Sequence, residues 1–362
     1  MFISRVSLEN YRNYRLLKTE FGNRLNVIFG PNASGKTNLI EAIYYLSLAR
    51  SFKKASDRDL IRLNSKEARI ILEYQSEIDG RHSIEAEIMP EGKIISLDQE
   101  KQKSVSKIVG KLLTVVYSPS SVSLFRGEPM ERRRFIDTTL SLLSDKYLYA
   151  LTRQKKLLKE RNTALSLNYD EDVISVLTSE LINVSYRIFM DRKAFLAKAD
   201  LLISPIYQKL FGETEKLEIR YSTNMPDADS QERFVELCQK KFSAIKTEER
   251  LRKMTLLGPH RDDLIAELNS NSVYAYASQG QNRLVVLALV LSAYQIIGEH
   301  FKEKPILLLD DVLSDLDQVR KEKLIDYLQS LGQVFITTSE EDLDEKDIDK
   351  FEIKNGNIER RI

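Results

Sequence analysis

The chain has little of the chemistry that disulfide-bonded or zinc-built proteins use. Its 362 residues include one cysteine, Cys238, three histidines and no tryptophan. A single thiol excludes an internal disulfide, and so few Cys and His residues exclude a structural zinc cluster. The longest unbroken apolar run, Leu284–Leu291, is far shorter than the roughly 20 residues of a membrane span. Charged residues begin at Arg5, so we expect no signal peptide and predict a cytoplasmic protein without a membrane partner.

An excess of one charge is also absent, since 55 Lys and Arg residues stand against 54 Asp and Glu residues. No general attraction for nucleic acid follows, so any basic surface must be local. Two local clusters exist, Arg132–Arg134 and Arg153–Arg161. Each cluster either binds the phosphates of DNA or forms a solvated helix face and ion pairs within the protein. The second interpretation is the commoner one for such runs of charge.

The pattern of apolar residues divides the chain into three parts. Short alternating or apolar runs in the first 120 residues, beginning with Phe2–Leu8, predict strands. The middle part has apolar residues three and four apart, which predicts amphipathic helices in an antiparallel bundle or short coiled coil. The last third returns to an α/β pattern. We predict an α/β head domain from residues 1–120 and 250–362, with a helical arm domain of residues 121–249 inserted into it.

Residues Gly30–Thr37 match the phosphate-binding pattern G-x-x-x-x-G-K-[ST] at every fixed position. An apolar run precedes them, and an amphipathic helix is predicted over Asn38–Leu48. The glycines allow backbone N–H groups to surround a phosphate, and the helix N-terminus adds partial positive charge. Lys36 is expected to reach the β- and γ-phosphates and Thr37 to bind Mg²⁺. The motif therefore predicts ATP and Mg²⁺ as cofactors.

Ile306–Asp310 is an apolar run that ends in an acidic residue, as a Walker B strand does. Asp310 would then lie beside Mg²⁺ at the carboxyl end of a buried strand, and Asp311 would polarise the attacking water. The long stretch of chain between Lys36 and Asp310 favours a large insertion between the two halves of one nucleotide site.

The segment Ser278-Gln279-Gly280-Gln281 precedes a helix predicted over Arg283–Ile297 and then the Walker B strand. This order resembles the L-S-G-G-Q signature of ABC-type ATPases, with Gln279 in place of the first glycine. In that family the signature faces the γ-phosphate that the other subunit holds, so that ATP joins two heads. An ordinary helix cap at Ser278 is the alternative. Ser314–Asp317 follows where ABC proteins have their D-loop.

The whole chain resembles the RecF family of bacterial recombination mediators. The resemblance rests on six stretches spread from one end of the chain to the other, which are Leu8–Tyr14, Ala49–Phe52, Gly127–Pro129, Arg132–Asp137, Leu257–Leu264 and Leu308–Asp317. RecF proteins resemble the heads of SMC-type proteins, with a short helical arm in place of a long coiled coil. The resemblance thus implies an ABC-type head with an inserted arm, in agreement with the pattern of apolar residues.

The resemblance implies an ATP-dependent homodimer on DNA, with weak DNA-dependent ATPase activity. It implies single-stranded, gapped and duplex DNA as partners, and RecR, RecO and RecA in a pathway of gap repair, replication restart and SOS induction. Motifs and resemblance together predict Asp311 as the catalytic residue and Thr37 and Asp310 as magnesium ligands. The predicted nucleotide-binding residues are Gly30, Pro31, Asn32, Ala33, Ser34, Gly35, Lys36, Thr37, Asn38, Arg12, Ser278, Gly280 and Gln281.

The sequence departs from the ABC pattern in three places. Asp311 stands where most heads have glutamate, which would suit slow turnover. Thr337–Ser339 stand where the switch histidine is expected, and Gln75, within a strand pattern, is a poor candidate for the Q-loop glutamine. The pair His260-Arg261 has two interpretations, since it either senses a phosphate near the signature or binds Asp262 or Asp263.

Two other classes of protein share the phosphate-binding motif. A transporter's nucleotide-binding subunit lacks a long helical arm between the phosphate loop and the signature, and it usually keeps the switch histidine. A P-loop kinase for a small metabolite needs an arginine-rich lid and has no signature motif. Both therefore fit this sequence less well than a DNA-binding ATPase.

Overall fold

The chain forms two compact units. The computed structural model describes residues 1–211, 214–314, 316–339, 348–354 and 356–361. The first unit consists of Met1–Ser123, Pro205–Glu215 and Ala277–Ile362, and the second of Leu124–Ser204 and Lys216–Tyr276. Both ends of the chain therefore meet in the first unit.

The first unit contains an antiparallel sheet of six strands in the order β2-β1-β4-β5-β6-β7. Buried and less buried residues alternate along β4, as expected for a strand with one face on the core. The strands are β1 (Phe2–Tyr11), β2 (Tyr14–Glu20), β4 (Ala68–Ser76), β5 (Gly80–Met89), β6 (Gly92–Leu97) and β7 (Glu100–Lys101).

A second six-stranded sheet in the first unit has the order β15-β14-β3-β13-β12-β8. Its strands are β3 (Leu25–Phe29), β8 (Thr114–Tyr117), β12 (Ile306–Asp310), β13 (Val334–Thr338), β14 (Ile348–Lys354) and β15 (Asn357–Arg361). All neighbouring strands are parallel except β14 and β15. Every residue of β3, β12 and β13 is buried, as in a parallel sheet covered on both faces.

Among the described residues, the helices that lie wholly within the first unit are α1 (Lys36–Leu48), α2 (Asp57–Leu60), α8 (Gln279–Phe301) and α9 (Gln318–Gln329). In α1, every residue from Leu39 to Leu48 is buried. Only the phosphate loop separates the end of β3 at Phe29 from the start of α1 at Lys36, so this loop lies between a buried strand and a buried helix.

The second unit consists of helices and a small antiparallel sheet in the order β11-β10-β9. Its core includes Leu157, Leu181, Phe189 and Phe234. The elements are α3 (Pro129–Leu143), α4 (Asp145–Ser166), α5 (Glu171–Phe211, whose last residues belong to the first unit), β9 (Leu217–Ser222), α6 (Gln231–Arg252), β10 (Asp263–Leu268), β11 (Asn271–Ser272) and α7 (Val273–Tyr276).

Two helices, α5 and α8, are long and apolar enough to cross a membrane by length and composition alone. In α8 the most apolar stretch is 72% buried inside the protein, and in α5 33%. A buried apolar helix such as α8 is typical of the core of a globular domain.

The sequence analysis did not predict β9 and β10. They pair from Asp263 with Ser222 to Leu268 with Leu217, a contact between distant segments that places residues 250–276 with the second unit. The domain boundaries at residues 120 and 250 stay a prediction. Helix α8 begins at Gln279 and not at Arg283, because Ser278 caps it. The sequence also predicts a helix break at Gly212, which lies outside the described residues.

Candidate nucleotide-binding site

The loop between β3 and α1 has the backbone of a phosphate-binding loop. Gly30, Ala33 and Gly35 have φ angles of 146°, 63° and 116°. A Cβ atom on Gly30 would lie 2.4 Å from the carbonyl oxygen of Ile353. Both the φ angle and this close approach require glycine at that position. Pro31, Asn32 and Ala33 form the exposed tip of the loop.

Two polar side chains of the loop are arranged as an anion site requires. The Lys36 ammonium donates to the carbonyl oxygens of Gly30 and Pro31 at 2.7 and 2.9 Å. Burial lowers the pKa of Lys36, and the charges of Asp311 and Asp310 oppose that effect. The Ser34 hydroxyl oxygen is buried and has no hydrogen-bond partner among the described residues, as expected for a group that binds a ligand.

Asp310 lies next to the start of α1, at the end of β12. Its Oδ1 accepts hydrogen bonds from the hydroxyls of Thr37, at 2.8 Å, and Thr337, at 2.6 Å. Burial raises the pKa of Asp310, and the two hydroxyl donors partly offset this. The structure therefore brings together the two predicted magnesium ligands, although they are far apart in sequence. Thr337 is the third member of this cluster. In the sequence it is notable only because it stands where the switch histidine is expected.

Asp311 follows in a conformation that non-glycine residues seldom adopt. Its φ angle is 53°, its side chain is exposed, and its N–H donates to the Thr337 hydroxyl at 3.0 Å. Such left-handed residues cost free energy and are frequent at functional sites. Asp311 therefore lies at the carboxyl edge of the parallel sheet, which is also the edge where the phosphate loop begins.

Arg12 lies on the flank of the site, where its charge is partly compensated. Its guanidinium donates to both carboxylate oxygens of Glu41, at 2.7 and 3.0 Å, and to the carbonyl oxygen of Asp59. Glu41, on α1, is fully buried, and it also accepts from the Ser51 hydroxyl. Lys53 lies 3.7 Å from Glu41 and donates to Asn38 at 3.0 Å. Arg12 and Lys53 thus share one buried carboxylate of α1.

Two residues that the sequence analysis did not assign to the site contact the loop directly. Asn13 donates to the Ser34 carbonyl oxygen at 2.9 Å and accepts from the Asn38 side chain at 2.8 Å. The hydroxyl of the buried residue Tyr14 donates to the Gly35 carbonyl oxygen at 2.9 Å. Both residues belong to the family-like stretch Leu8–Tyr14, but no local pattern relates them to the loop.

The signature segment is an exposed helix start. The Ser278 hydroxyl accepts from the Gln281 N–H at 3.1 Å, and the Gln281 side chain accepts from the Ser278 N–H at 3.0 Å, which forms a capping box. Ser278, Gln279 and Gly280 are exposed. Among the described residues, no hydrogen bond joins Ser278, Gly280 or Gln281 to Gly30–Thr37. Within one chain Ser278 is therefore a helix cap, and its role towards a partner's phosphate stays a prediction. Asp315 of the D-loop lies outside the described residues.

In the second unit, the basic clusters are mostly paired. Arg132 binds Asp263 with two hydrogen bonds, at 2.6 and 2.9 Å. Arg153 binds Glu180, and Arg161 binds Glu249. These contacts favour intramolecular pairing over phosphate tracking for these three arginines.

The pairing proposed for His260 and Arg261 with Asp262 or Asp263 is not what the structure shows. Arg192 and the hydroxyls of Tyr221 and Thr223 bind Asp262. The His260 ring instead contacts the Thr255 carbonyl oxygen, at 3.1 Å.

The donor set fits a magnesium nucleotide. Thr37 and Asp310 offer the hydroxyl and carboxylate oxygens that Mg²⁺ prefers, and the loop offers the N–H groups, ammonium and orphan hydroxyl that bind phosphates. The described residues contain no group of three or more His, Cys, Asp and Glu side chains that would hold a metal by itself.

Comparisons with known proteins place the chain in a family. The family model described as "RecF/RecN/SMC N terminal domain" matches residues 2–355. A DNA replication and repair protein RecF from a Geobacillus species is 37% identical over 369 residues, which cover 99% of this chain and 98% of the relative. The RecF protein of Bacillus cereus strain G9842 is also 37% identical, over 100% of this chain and 99% of its own length.

Solved structures agree with this result. A structure of the recombination mediator RecF with ATP has a TM-score of 0.92 at 30% identity, and the match covers 100% of this chain and 98% of that one. The Smc head domain of Pyrococcus furiosus has a TM-score of 0.58 at 16% identity and shows the same fold. The predicted α/β fold of an ABC-type ATPase head is thereby confirmed. The chain belongs to the RecF family.

Proposed function

We propose that this protein is an ATP-dependent, DNA-binding recombination mediator of the RecF kind. Its full-length relatives are named DNA replication and repair proteins, and the RecF-ATP structure is described within the RecFOR pathway. The observation that carries the proposal is the junction of Thr37, Asp310 and Thr337 next to the phosphate loop. A hydroxyl and a carboxylate side by side next to a phosphate loop suit a metal-bound triphosphate.

The ATPase step follows from the positions of these groups. Backbone N–H groups of the loop and the Lys36 ammonium bind the β- and γ-phosphates. Thr37 and Asp310 would hold Mg²⁺, which would supply positive charge to the phosphate oxygens. Asp311, exposed at the end of β12, orients the attacking water and accepts its proton. Aspartate is one methylene shorter than the usual glutamate, which supports slow turnover, and the resemblance to RecF supports a dependence of that turnover on DNA.

Dimerisation is the second part of the proposal. Ser278, Gly280 and the start of α8 are exposed and carry the N-terminal partial charge of a 23-residue helix. We infer that they bind the γ-phosphate held by a second copy of the chain, so that ATP closes a homodimer on DNA at single-strand gaps or junctions. RecR, RecO and RecA are its partners in loading and gap repair, in the cytoplasm. The transporter and kinase alternatives are not favoured, because the family match extends over the whole chain.

The first test uses Lys36→Ala, with Lys156→Ala as a control because the Lys156 side chain is 66% exposed. Lys36→Ala should lose most ATP binding in an equilibrium titration without a change in thermal unfolding, while the control binds as the wild type does. Photocrosslinking of the wild type to gapped duplex and to single-stranded DNA, with and without ATP, then tests the DNA-binding part. An ATP-independent crosslink, or none, would contradict that part.

Dimerisation is tested with two serines that each cap a helix by accepting a hydrogen bond from the N–H three residues further on. Ser278 caps α8, and Ser230 caps α6 by accepting from the Arg233 N–H at 3.2 Å. Replacing either serine by arginine should cost about 1 kcal/mol of helix capping. Only Ser278→Arg should abolish ATP-dependent dimerisation in sedimentation and ATP-stimulated retention on DNA. A Ser278→Arg protein that dimerises with ATP as the wild type does would show that this serine is only a cap.

A further inference from the structure

The turn between β1 and β2 contacts the phosphate loop through two successive residues. Asn13 donates to the carbonyl oxygen of Ser34, and Tyr14 donates to that of Gly35, both at 2.9 Å. Tyr14 is fully buried, and its pKa is raised because burial disfavours the phenolate. The hydroxyl therefore remains a donor over the whole physiological range of pH.

The two carbonyl groups determine where the next N–H groups point. A peptide unit is planar and trans, so the C=O of one residue and the N–H of the next point in opposite directions. When Asn13 holds the Ser34 carbonyl, the N–H of Gly35 is turned the other way. Tyr14 holds the Gly35 carbonyl together with the N–H groups of Asn38 and Leu39, which donate to the same oxygen at 2.8 and 3.1 Å, and the same follows for the N–H of Lys36. These are N–H groups of the loop that receives the phosphates.

The turn itself is fixed from outside. The Arg62 guanidinium donates to the Asn13 carbonyl oxygen at 2.8 Å, and the Arg12 N–H donates to the Leu60 carbonyl oxygen at 2.8 Å. A Cβ atom on Gly35 would lie 2.6 Å from the Asn13 amide nitrogen and 2.7 Å from the Tyr14 hydroxyl. The turn and the phosphate loop are therefore in close contact at Gly35.

We propose that Asn13 and Tyr14 are positioning residues for nucleotide binding. They act through the backbone and not by touching the ligand, since each holds a carbonyl group of the loop and so preorganises the following N–H towards phosphate. The inference rests on the proposed function, because it concerns the binding of ATP by the phosphate loop. It gives the antiparallel sheet of the first unit a role in the ATP site.

The first experiment compares two buried tyrosines that each donate one hydrogen bond. Tyr14→Phe removes the bond to the loop, and Tyr45→Phe, the matched control, removes a 2.8 Å bond to Asp57. Dissociation constants are measured for ATP and for inorganic tripolyphosphate, which offers the phosphates alone. Tyr14→Phe should bind both ligands about fivefold to tenfold more weakly, the equivalent of one lost hydrogen bond. Tyr45→Phe should bind both as the wild type does.

A second variant adds a readout that a purely structural role would not change. Asn13→Asp keeps the shape of the side chain but cannot donate to the Ser34 oxygen while its carboxyl is ionised. Its affinity for tripolyphosphate, relative to the wild type at each pH, should be low at about pH 8 and should recover as the carboxyl becomes protonated.

The outcomes distinguish a failure of this inference from a failure of the proposed function. Unchanged tripolyphosphate binding by Tyr14→Phe, equal losses in Tyr14→Phe and Tyr45→Phe, or a deficit in Asn13→Asp that does not change with pH would each overturn the inference. Lys36→Ala is measured alongside. If it binds tripolyphosphate as the wild type does, the proposed ATP site itself is wrong. If Lys36→Ala fails to bind while Tyr14→Phe binds normally, only the inference on the turn is wrong.

Discussion

Acidification should weaken the second unit through one histidine, His260. In the neutral ring, Nε2–H donates to the Thr255 carbonyl oxygen at 3.1 Å, and the buried Nδ1 has no hydrogen-bond partner in the part of the chain that the structure describes. Burial lowers the pKa of His260 from 6.5 to about 4, and the charge of Arg261 acts in the same direction. Below pH 6.5 the unfolded chain therefore binds a proton that the folded chain excludes.

The sign and size of the effect follow from this difference. A depressed histidine pKa contributes stability that is present above about pH 6.5 and is lost as the pH falls towards 4. Between about pH 8 and pH 5 the expected loss is about 2 kcal/mol. The Nε2–H bond to Thr255 can be replaced by the amide of a glutamine, so His260→Gln keeps a donor and removes the titration.

The assay is urea unfolding at these two values of pH. From the higher to the lower pH, the free energy of unfolding of the wild type should fall by about 2 kcal/mol more than that of His260→Gln. The contributions of the other titrating groups cancel in this comparison. His300, which is exposed, provides the control. His300→Gln should follow the wild type at both values. Equal acid sensitivity of wild type and His260→Gln would refute the reasoning.

Three further variants test the site and the arm. Asp311→Asn should bind ATP but release phosphate more slowly and accumulate the dimer; wild-type turnover would remove Asp311 from catalysis. Gly35→Ala should weaken ATP binding at least about tenfold in a titration, because a φ of 116° and a contact of 2.6 Å both oppose a Cβ. Arg161→Met leaves the buried Glu249 carboxylate without its cation and should cost about 3–5 kcal/mol in urea unfolding. The exposed control, Lys156→Met, should cost less than about 1 kcal/mol, and equal losses would contradict the argument.

Local sequence patterns were enough for those parts of the site that are continuous in the chain. The phosphate loop needs glycines at fixed spacing, and the Walker B strand needs an apolar run that ends in an acid, so both are visible without a structure. Asn13, Tyr14 and Thr337 could not be assigned in this way. Each contributes through one hydrogen bond to a residue far away in sequence, and neither periodicity nor residue type reveals such a pairing.

The fold shows the same division between local and distant contacts. The strands β3 and β12 and the helices of the arm follow from runs and periodicity. The pairing of β9 with β10 was missed, because one short strand gains its partner only across the whole of α6. Arg161 was predicted only as part of a basic run, whereas its buried ion pair with Glu249 depends on the packing of α4 against α6.

The strand order of the parallel sheet has a consequence for the synthesis of the protein on the ribosome. Strand β3 has two neighbours, β13 and β14, and both come from the last 30 or so residues of the chain. At about 5–20 residues per second, the ribosome needs roughly 15–60 s to make the intervening 300 or so residues. Throughout that time both edges of β3 lack their final partners, and Asp310 and Thr337 do not yet exist. A nascent chain should therefore be unable to hold ATP until β13 has been synthesised, and chaperones that shield apolar strands would act on this segment for most of that period.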